Sequence, residues 1–104
     1  MYRQGDVLLV PVSGREMVQR GTRGNRKVMQ KDVVLAEGEA TGHNHVLLGE
    51  VDTRVRRNQV WMVAVAEPTQ LVHQEHDPVA IPAGYYEVVR QEEYTPRGSR
   101  MVFD

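Results

Sequence analysis

Residues 43–66 read HNHVLLGEVDTRVRRNQVWMVAVA, and the alternation inside this stretch decides the fold class. In His43-Asn44-His45-Val46-Leu47-Leu48 an extended backbone sends odd and even side chains to opposite faces, and Gly49 reads as the end of that strand. Val51-Asp52-Thr53-Arg54-Val55 alternates apolar and polar residues as a half-exposed strand does. Arg56-Arg57-Asn58-Gln59 then supplies a polar turn, and the apolar run from Val60 to Ala66 is closed by Pro68.

The same grammar extends both ways. Upstream, Val7-Leu8-Leu9-Val10 follows a Gly-Asp turn and ends at Pro11, while Val28–Gln30 and Val33–Ala36 bracket Lys31-Asp32 as a bulged strand or a short hairpin. Gly38 and Gly42 mark a turn leading into His43. Downstream, Leu71-Val72-His73, Val79–Ile81 and the run from Tyr85 to Arg90, after a Pro82-Ala83-Gly84 turn, predict three more strands. Between Ser13 and Lys27, Gly14, Gly21 and Gly24 interrupt polar and basic residues without a period, which predicts a mobile basic loop over 13–27. Residues 94–104 read as a peripheral tail. Six to nine short strands and no amphipathic helix predict an all-β, single-domain small barrel or sandwich spanning residues 1–104.

Composition bounds the function classes. The 104 residues suit one domain, and 40 % hydrophobic with 26 % charged residues is the balance of a globular protein. The apolar run 60–66 is far too short for a hydrocarbon layer of about 30 Å, so no membrane partner is predicted. No apolar segment follows a basic start, which predicts a cytoplasmic protein. The chain has no cysteine, which excludes disulfides, thiolate metal sites and thiol nucleophiles, so any metal must be held by nitrogen and oxygen. The net charge is −1, yet nine of the thirteen basic residues fall between positions 15 and 57, an asymmetry that speaks to partners rather than fold.

All four histidines lie in two short segments, His43-x-His45 and His73-x-x-His76. On a strand the first pair shares a face with backbones about 7 Å apart, close enough for two rings to converge on one ion. The second pair has the spacing of a helical turn or a tight loop, and Asp77-Pro78 favours the loop. Closure of a sheet can bring both pairs together around a divalent transition metal such as zinc, iron, manganese or nickel. Glu50 and Glu87 are the candidate carboxylates of that shell, and Tyr85 or Tyr86 a candidate donor to a substrate oxygen. His43-Asn44-His45 also spells a nuclease motif, but the spaced ligands and ββα-metal pattern of those nucleases are missing.

These residues resemble the motifs of the cupin superfamily. Gly38 through His43, His45 and Glu50 follow the outline of its first motif, and His76, Pro82-Ala83-Gly84 and Glu87 that of its second. His76 stands in place of a glycine, Glu87 in place of the fourth ligand histidine, and Arg57 in place of the glycine after Glu50. The resemblance implies a β-barrel with His43 and His45 as metal ligands. The chain is also similar to short uncharacterised bacterial proteins with Thr-Gly-His-x-His, His-x-x-His and Pro-x-Gly-x-Tyr segments, matched here at 41–45, 73–76 and 82–86, and this likeness implies no mechanism.

Three functions compete at this point. The first is a small metal-binding barrel that acts on or senses a small molecule, with enzymatic activity left open. The second is a nucleic-acid-binding module in which Arg20, Arg23, Arg26 and Lys27 of the basic stretch 15–31 grip phosphates while Trp61 or a tyrosine stacks on a base. The third is a structural or assembly protein, a homo-oligomer joined through strand edges and the apolar Met101-Val102-Phe103.

Overall fold

The computed structural model describes residues 1–21, 25–37, 43–95 and 98–101. They form β1 (Tyr2–Gln4), β2 (Val7–Val12), α1 (Gly14–Arg20), β3 (Arg26–Glu37), β4 (Asn44–Arg56), β5 (Gln59–Val65), β6 (Thr69–Val72), β7 (Val79–Ile81), β8 (Gly84–Arg90), β9 (Glu92–Thr95) and β10 (Gly98–Met101). The main sheet is antiparallel in the order β1-β2-β8-β5-β4-β6-β7, with β3 added to β4. It curls into a nearly closed barrel. Gln4, at the end of the first strand, donates from Nε2 to the carbonyls of Leu71 on β6 and Asp77 before β7, both at 2.9 Å, and so ties one margin of the sheet to the other.

The inner face is apolar because alternation holds along each strand. On β4 the odd positions His45, Leu47, Val51, Thr53 and Val55 are buried, and they meet Val7 and Leu9 of β2, Val63 and Val65 of β5, and Tyr86 and Val88 of β8. Tyr86 packs edge-on against Tyr2, with ring centroids 5.8 Å apart, and donates its hydroxyl to the Pro82 carbonyl at 2.7 Å. Burial holds the Tyr86 phenol above the usual tyrosine range. Pro11 pairs with Tyr86 beyond the end of β1, where among the described residues β2 has no strand on its other edge and a missing N–H disturbs no ladder.

β4 is the strand that bends. Its first half pairs with β6 and its second with β5, so Gly49 does not end a strand but lies where one strand changes partners. Against β3, β4 carries one extra residue between the Lys31–Glu50 and Val33–Leu47 pairs, and β3 carries one extra between Val34–Val46 and Ala36–His45, so the two bulges cancel. The expectation of a bulge at Lys31-Asp32 is met. Gly49 takes φ +84° there and donates its N–H to Asp32 Oδ1 at 2.8 Å. The turn at Arg57-Asn58 joins β4 to β5 with both residues at positive φ, as a two-residue hairpin of matching twist requires.

The stretch expected as a mobile loop over 13–27 is instead largely ordered. Ser13 caps α1 by accepting from the Glu16 N–H at 2.9 Å, Glu16 pairs with Arg20 one turn later, and Met17 is buried beneath the helix. Arg26 and Lys27 already belong to β3, and residues 22–24 lie outside the described residues. β1 was not anticipated, and the expected tail holds a separate two-stranded sheet of β9 and β10; Val102 and Phe103 lie outside the described residues. Among the described residues no helix is long and apolar enough to cross a membrane.

Arg90, on the last strand of the main sheet, reaches inward. Its Nε donates to the Leu35 carbonyl at 2.7 Å and its Nη2 to the Val60 carbonyl at 2.8 Å, joining β8 to β3 and β5, while burial pushes its guanidinium pKa down from the usual arginine value. Arg90→Met strips two shielded carbonyls of their donor while also removing a desolvated charge, so the net loss is about 2 kcal/mol of stability. Urea unfolding followed by circular dichroism measures it, and a midpoint unchanged from the parent contradicts the bracing role.

Candidate metal centre

Three segments converge at one end of the barrel. His45 is the second residue of β4 and points inward with Leu47. Its neighbour across the ladder is β6, whose end runs directly into His73, and His76 follows in the short loop that returns to β7. That loop is held from two sides, since Gln74 Oε1 accepts the Asn44 N–H at 2.9 Å and Gln4 holds the Leu71 and Asp77 carbonyls. Pro78 keeps Asp77 out of the helical region, which favours the extended entry into β7.

The imidazoles form a compact group. Ring centroids lie 4.3 Å apart for His45 and His73, 4.7 Å for His73 and His76, 5.8 Å for His45 and His76, and 5.6 Å for His43 and His73. One nitrogen from each of His45, His73 and His76 lies within 4.8 Å of the others, and all three Nε2 atoms are shielded from solvent. Ligands about 2.0 Å from a tetrahedral zinc stand roughly 3.3 Å apart, so a closure of about an ångström and a half or less brings the three into a coordinating arrangement.

The protonation pattern follows from the neighbours. Because Gln4 Nε2 donates to two carbonyls, its Oε1 must be the atom that faces His45 Nδ1, 3.0 Å away, and an oxygen can only accept. His45 therefore carries its proton on Nδ1 and keeps a lone pair on Nε2, the arrangement that an outer-shell acceptor imposes on a ligating histidine. His73 is set the opposite way: its Nδ1 accepts the Glu75 N–H at 3.0 Å, which places the proton of the neutral ring on a buried Nε2 that has no hydrogen-bond partner among the described residues. An unsatisfied buried donor costs about 1–3 kcal/mol. Coordination by His73 gives up the Glu75 bond, worth about 1 kcal/mol, against the roughly 10 kcal/mol or more available to a well-formed zinc site.

The structure brings together all four predicted histidines but sorts them. His43 precedes β4 and lies outside the three-nitrogen group; its ring meets the edge of His73, and its Nδ1 stands 3.5 Å from Glu75 Oε1. The predicted carboxylates Glu50 and Glu87 are not in the group either. Glu50 is exposed opposite Lys31, because the even positions of β4 face outward, and Glu87 accepts a 2.8 Å ion pair from Arg20 beside α1. Tyr85 is exposed against Gly14 at the start of α1, and Tyr86 is committed to the Pro82 carbonyl, so neither tyrosine stands among the clustered rings.

The basic residues divide as well. Hydrogen bonds to Glu87 and then Glu16 raise the Arg20 pKa against the opposing effect of burial. Lys27 stands 3.9 Å from Asp52, Arg26 is exposed, and Arg23 lies outside the described residues. Gln4 is the participant that sequence reading missed. No spacing rule marks a lone amide forty-one residues from its histidine partner.

A family model with the description "Domain of unknown function (DUF8820)" matches residues 3–91, which run from within β1 to the end of β8 and include all four histidines. No curated protein and no solved structure matches the chain significantly.

Proposed function

We propose, from the premise that the chain belongs to the DUF8820 family, that it is a metal-binding barrel holding a divalent transition ion through His45, His73 and His76. The observation that carries this reading is the convergence of three imidazole nitrogens within 4.8 Å, one of them with its tautomer set by Gln4. A three-histidine set leaves a coordination position for water or a small ligand, and an ion so held supplies Lewis acidity or an activated water. His43 stands beside the group, its ring against the edge of His73 and its Nδ1 3.5 Å from Glu75 Oε1. The reading covers both an enzyme acting on a small molecule and a sensor of one.

Cobalt titration tests it. Untagged protein should develop the visible ligand-field absorption of Co²⁺ in a low-symmetry nitrogen site, saturating at one ion per chain, and zinc should bleach it. The His45→Ala/His73→Ala variant should give none. Absorption that fails to appear, or that survives in the double variant, sinks the proposal.

A further inference from the structure

A second site lies at the turn between β4 and β5. Arg26, Arg57, Asn25, Asn58 and Val55 line an open concavity of about 370 Å³, and Arg56 stands beside it. Four other cations of the barrel have partners: Arg20 with Glu16 and Glu87, Arg54 and Lys27 with Asp52, and Arg90 with two carbonyls. Among the described residues no carboxylate forms an ion pair with Arg26, Arg56 or Arg57. Three like charges gathered at one corner repel each other, a cost that an anion removes.

The corner is also built rather than merely charged. Asn25 Oδ1 accepts from both Trp61 Nε1 and Arg56 Nε, and Asn25 Nδ2 donates to the Arg20 carbonyl, so one amide fixes the tryptophan, the arginine and the end of α1 together. The Arg56 guanidinium then lies over the indole at 4.0 Å from its centroid. In a two-residue hairpin the N–H groups of the central residues take no part in the ladder, so Arg57 and Asn58 add backbone donors to the same rim. Trp61 is the residue that β5 carries in excess between the Arg54–Met62 and Val55–Val60 pairs, a bulge that turns it toward this corner.

We infer that this corner binds a phosphoryl group, carried either by a free nucleotide or by a single nucleic-acid strand. Guanidinium forks match phosphate oxygens in pairs, and the lining offers hydrogen-bond donors with no carboxylate to repel the ligand. The site is independent of the histidine cluster, and no metal enters it.

Trp61 is the only tryptophan in the chain, so its emission reports directly on the stacked Arg56. The probes are pyrophosphate, ATP and a fluorescein-labelled 12-mer single-stranded DNA, read by Trp61 emission, calorimetry and polarisation at low salt. Saturable binding of at least one probe is expected, weakened tenfold or more in Arg26→Ala/Arg57→Ala and changed less than threefold in the charge-matched Arg15→Ala/Lys31→Ala. Pyrophosphate and ATP binding without the strand identifies a nucleotide site; strand binding with a log–log salt slope near about −2, the value for three neutralised phosphates, identifies a strand site. Binding of both supports the shared chemistry. No binding of any probe, or equal weakening by the two double variants, overturns the inference.

Discussion

His73→Ala and His76→Ala each lower the affinity for zinc by about a hundredfold or more, whereas His43→Ala changes it by less than about fivefold. If a nitrogen ligand contributes on the order of 3 kcal/mol to a site worth about 10, its loss is a factor of roughly a hundred or more. His43 sits outside the three-nitrogen group and meets the edge of His73, so its removal costs a contact and no ligand. Thermal unfolding gives the readout without assuming any activity. At a zinc concentration about a thousandfold above the parent's Kd the folded state gains about 4 kcal/mol, and a variant bound a hundredfold more weakly gains about 1.4 kcal/mol at that concentration. The ordering of variants decides between two ligand sets. Should His43→Ala lose the zinc-dependent stabilisation while His76→Ala keeps it, the ligands are those of the cupin-like strand motif and the geometric triad is wrong.

That contrast shows what could be read from the residues alone. The alternation in β4 was legible because one face is buried on both sides of the exposed Leu48–Glu50 step, and a register that slipped by one residue would expose Leu47 and Val51. The same parity places Glu50 outside: with His45 and Leu47 facing inward, an even-numbered carboxylate on that strand faces solvent, and the motif outline obscured this. α1 escaped notice because seven residues bury a single side chain, Met17, and leave no helical period to see. Its one local signal was Ser13-x-x-Glu16, a capping pattern followed by a glycine after the last turn.

The histidines were legible as two pairs, but not as ligands and neighbours. His43 and His45 share a strand-like spacing, yet His43 stands before the first ladder residue of β4, where the β6–β7 loop and not the sheet sets its surroundings. His73 and His76 gain their meaning from the pairing of Val46 with Val72, a contact across twenty-six positions that local pattern does not encode. The basic stretch divided for a similar reason. Arg20 and Lys27 found carboxylates on neighbouring strands, whereas Arg26, Arg56 and Arg57 gather at the hairpin corner with no carboxylate in its lining.

Gln4 joins the fold to the site, and its replacement separates the two. Gln4→Leu removes the donor to the Leu71 and Asp77 carbonyls and the acceptor facing His45 Nδ1 at the seam of the barrel, so the metal-free protein loses about 2–4 kcal/mol of stability. Without the Gln4 oxygen facing Nδ1, His45 also binds zinc about tenfold to a hundredfold more weakly, the range for loss of an outer-shell partner. Gln4→Glu divides these effects. A carboxylate still accepts from His45, and more strongly than an amide, but it cannot donate to the two carbonyls. Its metal-free form is therefore at least as destabilised as that of Gln4→Leu, while its zinc affinity per folded molecule stays within about threefold of the parent or exceeds it. Urea unfolding without metal, followed by competition with a chromogenic chelator under native conditions, separates the two quantities. Equal zinc affinity in Gln4→Leu and Gln4→Glu would show that the amide closes the seam of the sheet and has no influence on the imidazole beneath it.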